Sequence, residues 1–199
     1  MNVEEQFDAI CYNALDWVET LFGRKDPHVE IVGVISSKEV RFPHTAYDPH
    51  DEDLIQINVP HVDEPWQLFR HLTHEFVHVL TPNGLPGGQA TMLEEGLAEH
   101  SSVYFMKAHF TCHGEDGQID QSFWEVNVSP YYRAAFLLVE QLVEAEGLEE
   151  MRDGIRTLRH NTGLPFAQIT ADHLETVFAK APRDLLEALS RRFKDHAAS

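Results

Sequence analysis

Residues 74–78 read His74-Glu75-Phe76-Val77-His78 and lie inside the run Trp66–Leu80, which has the apolar spacing of a helix. Leu68, Leu72, Phe76, Val79 and Leu80 recur at three- and four-residue intervals and give the segment one face for a core. On that helix His74 and His78 fall one turn apart on a common side. Two imidazoles so placed can share one metal ion, and the glutamate between them can reach a water beside it. The helix has a start at Glu64-Pro65 and a stop at Thr81-Pro82-Asn83-Gly84, because proline suits a first helical turn and Pro/Gly clusters end one. The competing reading is a surface helix with two unconnected histidines. Residues further along the chain decide between the two.

A second helical pattern opens after the breaker 82–88, with Met92, Leu93, Leu97, Val103 and Tyr104 as its apolar positions. It carries Glu94, Glu95 and Glu99. A catalytic zinc site keeps three protein ligands and leaves a position for water, and His, His and Glu form one such set. Glu95 is the natural third member. Taken alone, these glutamates would read as a solvated face in a chain with 33 acidic residues. One loop away from the paired histidines, they read as a metal site.

HEFVH with a downstream EEGLAE resembles the gluzincin metallopeptidases, the group that contains thermolysin and aminopeptidase N. The resemblance spans roughly residues 64–145 and implies a role for each motif residue. His74, His78 and Glu95 bind Zn2+. Glu75 is the general base that takes a proton from the attacking water. Glu99, one turn past the third ligand, orients His74. Glu94 stands where that family carries asparagine, and no role is assigned to it. Ser129-Pro130-Tyr131-Tyr132-Arg133-Ala134 is similar to the Y-x-K-G-A helix of aminopeptidase N relatives, whose tyrosine stabilises the oxyanion. That likeness puts the role on Tyr131, with Tyr132 as the competitor, and Arg133 and Ala134 replace the lysine and glycine. The family's G-x-M-E-N stretch, which binds a free substrate N-terminus, has no counterpart here, so endopeptidase and exopeptidase action both stay open. The implied activity is zinc-dependent hydrolysis of peptide bonds in a peptide or protein substrate. The alternative is a catalytically silent gluzincin-fold binding or regulatory protein, and a third reading is a metal-free helical interaction protein.

The 199 residues suit one compact domain, with a strand-containing part over about 1–108 and a helical part over about 109–199. The expected fold class is α+β and helix-dominated: a small N-terminal sheet, zincin-type active-site helices and a helical C-terminal part. Helices are expected over 2–22, 130–146, 148–160, 171–180 and 182–195. Val29–Ile35 and Asp53–Val59 read as strands, Glu39–Phe42 as a strand pairing with the first, and Phe42–His50 as loop. Residues 109–128 read as irregular, with Phe123, Trp124, Val126 and Val128 either covering the cleft or packing. A net charge of −18 excludes the concentrated Lys and Arg that phosphate binding needs, so no nucleic-acid partner is expected. Arg152–His160 reads as a mixed helix surface. No run approaches the ~18–20 apolar residues of a membrane span, and the N-terminus lacks the pattern of a secretory signal. Two cysteines, Cys11 and Cys112, make no disulfide framework, and a cytoplasmic setting is expected.

Overall fold

The computed structural model describes residues 3–48, 50–63, 65–82, 89–109 and 129–194. Helix α1 (Val3–Phe22) buries Ala14, Val18, Leu21 and Phe22, the spacing of one helical stripe. Gly23, at φ 87°, ends it and donates its N–H to Glu19 O at 2.8 Å. Strands β1 (Glu30–Ser37), β2 (His44–Asp48) and β3 (Asp51–Pro60) form a sheet of order β1-β3-β2. β3 pairs parallel with β1, from Glu30↔Leu54 to Ser37↔Pro60, and antiparallel with β2, from His44↔Asn58 to Asp48↔Asp51. Its alternate residues Ile55, Ile57 and Val59 are fully buried and join one core with α1 and with the next helix.

The strand order dictates where the chain must cross. β1 and β2 flank β3, so the connection 38–43 passes beyond the last residue of β3, where the chain also turns toward α2 (Pro65–Leu80). His61 N–H donates to Ser37 O at 3.0 Å at that end. Two expectations are corrected here. Glu39–Phe42 is not a strand: Val40 N–H turns back to Ser37 O. His44–Asp48, read as loop because prolines at 43 and 49 bracket it, is the edge strand β2. A ladder to β3 organises five residues that local propensity leaves undecided.

α2 and α3 (Met92–His109) carry the candidate residues, and α3 runs through the middle of the molecule. It buries Leu93, Leu97 and Ala98, and also Glu94, Glu95, Glu99, His100, Ser101 and Ser102. A helix enclosed on every side is a core helix whose polar groups must find partners inside the protein. α4 (Pro130–Glu146) starts under a Ser129 cap whose Oγ accepts from Tyr131 N–H. It packs on α3 at Gly96, where an added Cβ would meet Ala135 O at 2.5 Å and Val139 Cγ2 at 2.6 Å. α5 (Leu148–Thr162), a 3-10 turn over Phe166–Gln168, α6 (Ala171–Glu175) and α7 (Arg183–Ser190) complete the helical part. The last two helices are shorter than the sequence pattern implies. The protein is α+β and helix-dominated with a small sheet. No helix among the described residues is long and apolar enough to cross a membrane.

The basic stretch of α5 has a structural task. Arg156 donates to Thr20 O and Leu21 O at 2.9 and 3.0 Å. Arg159 donates to Phe22 O, Gly23 O, Arg24 O and Leu80 O. These are carbonyls at the C-terminal ends of α1 and α2, which carry partial negative charge and lack partners within their own helices. One guanidinium thus ties the end of the histidine helix to the end of α1.

Replacing Gly96 by alanine has to push α4 off α3. The expected cost is about 1–3 kcal/mol in a denaturant titration. Gly33→Ala, where an added Cβ meets nothing within 4 Å, is the control and should stay within about 0.5–1 kcal/mol. Equal midpoints for the two variants would overturn the close-approach argument.

Candidate metal centre

The helical spacing in α2 and the first turns of α3 bring three side chains together. His74 Nε2 lies 3.4 Å and His78 Nε2 3.7 Å from one carboxylate oxygen, Oε2 of Glu95. Among the described residues these three form the one His/Cys/Asp/Glu group able to hold a metal ion, their ligand atoms all within 4.8 Å of one another. Ligands about 2.0–2.1 Å from a tetrahedral ion stand about 3.3 Å apart, so the spacing needs little adjustment to close on one. Glu95 Oε2 is buried with no partner at hydrogen-bonding geometry, an unusual state for a carboxylate oxygen. The donor set, two imidazoles and one carboxylate, suits a borderline divalent cation such as zinc.

Each imidazole is held from behind. His74 Nδ1 lies 3.1 Å from Glu99 Oε1, and Glu99 in turn lies 3.5 Å from Arg70 Nη2. His78 Nδ1 lies 2.7 Å from Glu94 Oε1. A carboxylate on Nδ1 fixes the ring orientation and turns Nε2 toward the shared point. The sequence reading gives Glu99 this task and leaves Glu94 without one. In the structure Glu94 is fully buried and performs for His78 what Glu99 performs for His74. The signal was its place immediately before the third ligand, one helical position from the core face.

Electrostatics at the site are dominated by buried acid. Glu75, Glu94, Glu95 and Glu99 are each at most 7 % exposed. For His74, burial works against a proton, but the contacts and charges of Glu95 and Glu99 outweigh it and hold the imidazole well above its usual range. For His78 burial is likewise overcome, chiefly by Glu95 and Glu94, and the value is pushed up to about 9. Burial works against the charged forms of Glu95 and Glu99 too, but His78 and His74 overcome it for Glu95, and His74 and Arg70 for Glu99, holding both below the ordinary carboxylate value.

Glu75 does not join the three. Its Oε2 accepts from Thr45 Oγ1 of the edge strand at 2.9 Å, and it lines a cleft of about 480 Å3 together with His74, Glu99, Arg70 and Tyr132. Of the two candidate tyrosines, Tyr132 is the one that lines the cleft. Tyr131 is 44 % exposed, whereas the Tyr132 ring lies edge-on to His74 with centroids 5.6 Å apart. The choice turns on helix phase at the start of α4, which one residue of register decides. Burial, then the charges of Glu95, Glu75 and Glu99, push the Tyr132 hydroxyl above its ordinary value, so it stays a proton-bearing donor. Phe193 packs against Tyr132 at 4.9 Å, and its segment is pinned to the start of α3 by Met92 N–H to Arg191 O and Phe193 N–H to Ala90 O. Phe123, Trp124, Val126 and Val128, read as either covering the cleft or packing, lie outside the described residues, as does Cys112.

No protein-family model, curated protein or solved structure matches the chain.

This geometry has two measurable consequences. Glu94→Ala should weaken zinc binding by about 10–100-fold, and Glu94→Gln, which keeps a hydrogen-bond acceptor on His78, should lose less. Competition with a chromophoric chelator measures both, and an unchanged affinity in Glu94→Ala would remove its role. The second concerns His71 on α2, whose imidazole is pushed down to about 4 by burial and then by the Arg70 and His74 charges. The unfolded chain takes up that proton at the ordinary 6.5, before the folded state does, so stability falls as pH drops below 6.5 and is indifferent to this group above about 7. Between pH 6.5 and about 5.5, above most of the carboxylate titration, the thermal midpoint should fall less steeply in His71→Gln than in the parent. Parallel curves would assign the decline elsewhere.

Proposed function

We propose that this protein is a gluzincin-type zinc metallopeptidase that hydrolyses peptide bonds. The observation that carries the reading is the meeting of His74 Nε2, His78 Nε2 and Glu95 Oε2 within metal-ligand reach, with Glu75 beside them at the wall of an open cleft. A divalent ion held by those three supplies Lewis acidity toward a carbonyl and lowers the pKa of water. The remaining work falls to the chain. Glu75, steadied by the Thr45 hydroxyl, takes the proton of the attacking water and passes it to the leaving amine. Tyr132, kept protonated, donates a hydrogen bond to the developing oxyanion from a partly water-excluded position. Glu99 and Glu94 hold the two imidazoles in the tautomer that presents Nε2.

The sheet supports a peptide as substrate. β2 pairs with β3 along one side, and its other side has no strand partner among the described residues. An extended chain laid along that edge by main-chain hydrogen bonds would run past Thr45, whose hydroxyl bonds Glu75. A cytoplasmic setting fits a chain with two cysteines.

The test is metal analysis with peptide-library cleavage on three proteins. The parent should hold one zinc per chain and cleave. Glu75→Gln should keep the zinc and lose about 10²–10⁴-fold in turnover. Glu95→Ala should lose the zinc. Full turnover in Glu75→Gln would eliminate it as the base, and a parent that neither retains zinc nor cleaves any peptide would overturn the proposal.

A further inference from the structure

We infer that the cleft selects substrates by a carboxylate lying beside the bond to be cut, and that Arg41 is the group that reads it. The inference rests on the peptidase reading above and adds the substrate class.

Strand order puts Arg41, Phe42 and Pro43 where they are. They belong to the connection that crosses beyond the end of β3, and with Pro60 they line the same cleft as Glu75 and His74. The volume, about 480 Å3, falls within the ~300–1,000 Å3 typical of sites that take small ligands. It accommodates a side chain or a chain end beside the metal centre. The wall has two characters. Phe42, Pro43 and Pro60 are apolar, and Phe42 is 78 % exposed, a large aromatic surface left at the mouth. Arg41 and Arg70 are cationic.

The charges facing the cleft from each element can be paired off. From α3, Glu99 is matched by His74 and by Arg70, 3.5 Å away on α2. From α2, Glu75 takes its hydrogen bond from Thr45. From the crossing connection, Arg41 is exposed and forms no hydrogen bond or ion pair with a described residue. Among the described residues its guanidinium has no carboxylate partner, in a chain with 33 acidic and 15 basic residues. A guanidinium grips a carboxylate through two parallel hydrogen bonds, and an aromatic face beside it receives an aliphatic stem. A substrate group with a short apolar stem and an anionic tip satisfies both surfaces. A lysine or arginine side chain would meet the like charge of Arg41 there. The overall charge of −18 opposes an acidic substrate at long range, so the selection is local and depends on contact with Arg41.

The carboxylate has two possible sources, an acidic side chain or the C-terminus of the peptide. Three N-acetylated fluorogenic peptides separate them: one with internal glutamate and an amidated end, one with glutamine and a free carboxyl end, and one with glutamine and an amidated end. The zinc-loaded full chain should favour one of the first two over the third by about tenfold in kcat/KM. In Arg41→Met that ratio should fall to within about twofold of unity. The ratio within each protein is the readout, so partial loss of active enzyme cancels. A parent ratio near one, or a ratio unmoved in Arg41→Met, overturns the inference while leaving peptide hydrolysis intact. If no peptide is cut, the hydrolase reading fails, and binding of the same three peptides by fluorescence anisotropy decides separately. Carboxylate-dependent binding lost in Arg41→Met sustains the inference, and indifference to the carboxylate overturns it.

Discussion

Four glutamate carboxylates lie out of solvent around two imidazoles, and the rest of the fold is arranged to make that tolerable. Buried carboxylates are costly unless paired, and Glu75, Glu94, Glu95 and Glu99 share two histidines, one arginine and one threonine hydroxyl among them. α3 must therefore run through the centre, so that Glu94, Glu95 and Glu99 all point into protein. α2 must lie against it at a distance that lets His74 and His78 each touch two acids. The closeness of α4 at Gly96 shuts water out from the other side. The concentration of acid around the histidine nitrogens makes this an environment that favours positive charge.

The sheet and the helices contribute different things to the cleft. The helices hold rigid groups: Arg159 ties the far end of α2 to α1, and the Arg191–Phe193 segment ties the near end of α3 while steadying Tyr132. The sheet contributes an open edge and one hydroxyl, Thr45, bonded to Glu75. A group on a two-sided framework of this kind moves little, which is the condition for efficient proton transfer at a fixed position.

Much of this was legible in the chain because it repeats over long stretches or sits at fixed helical spacing. The first helix, two of three strands and the boundaries of α4 follow from apolar period and from Gly and Pro. His74 and His78 follow from a spacing of four on one helix, whereas Glu95 and Glu99 were singled out through the likeness to the gluzincin motif. What was not legible depends on contacts between distant segments. β2 exists through its ladder to β3, and its own five residues carry little preference. Thr45 and Glu75 are thirty residues apart, and no local pattern pairs them. Glu94 looked like one more surface acid, because whether a helix is enclosed on all sides is a property of its neighbours. Tyr132 over Tyr131 is a matter of about 100° of helix phase, which a degenerate motif does not fix.

The connection from β1 to β2 stands apart from the rest of the site. Residues 38–43 are held at both ends by the ladders of β1 and β2, yet they contribute nothing to the core and none of the groups that hold the imidazoles. They form a replaceable rim on a fixed chemical centre. Exchanging Arg41 or Phe42 would change the lining of the cleft without touching the inner acids. A lineage built on this scaffold could therefore diversify its targets by drift in six residues, under much weaker constraint than the two helices beneath.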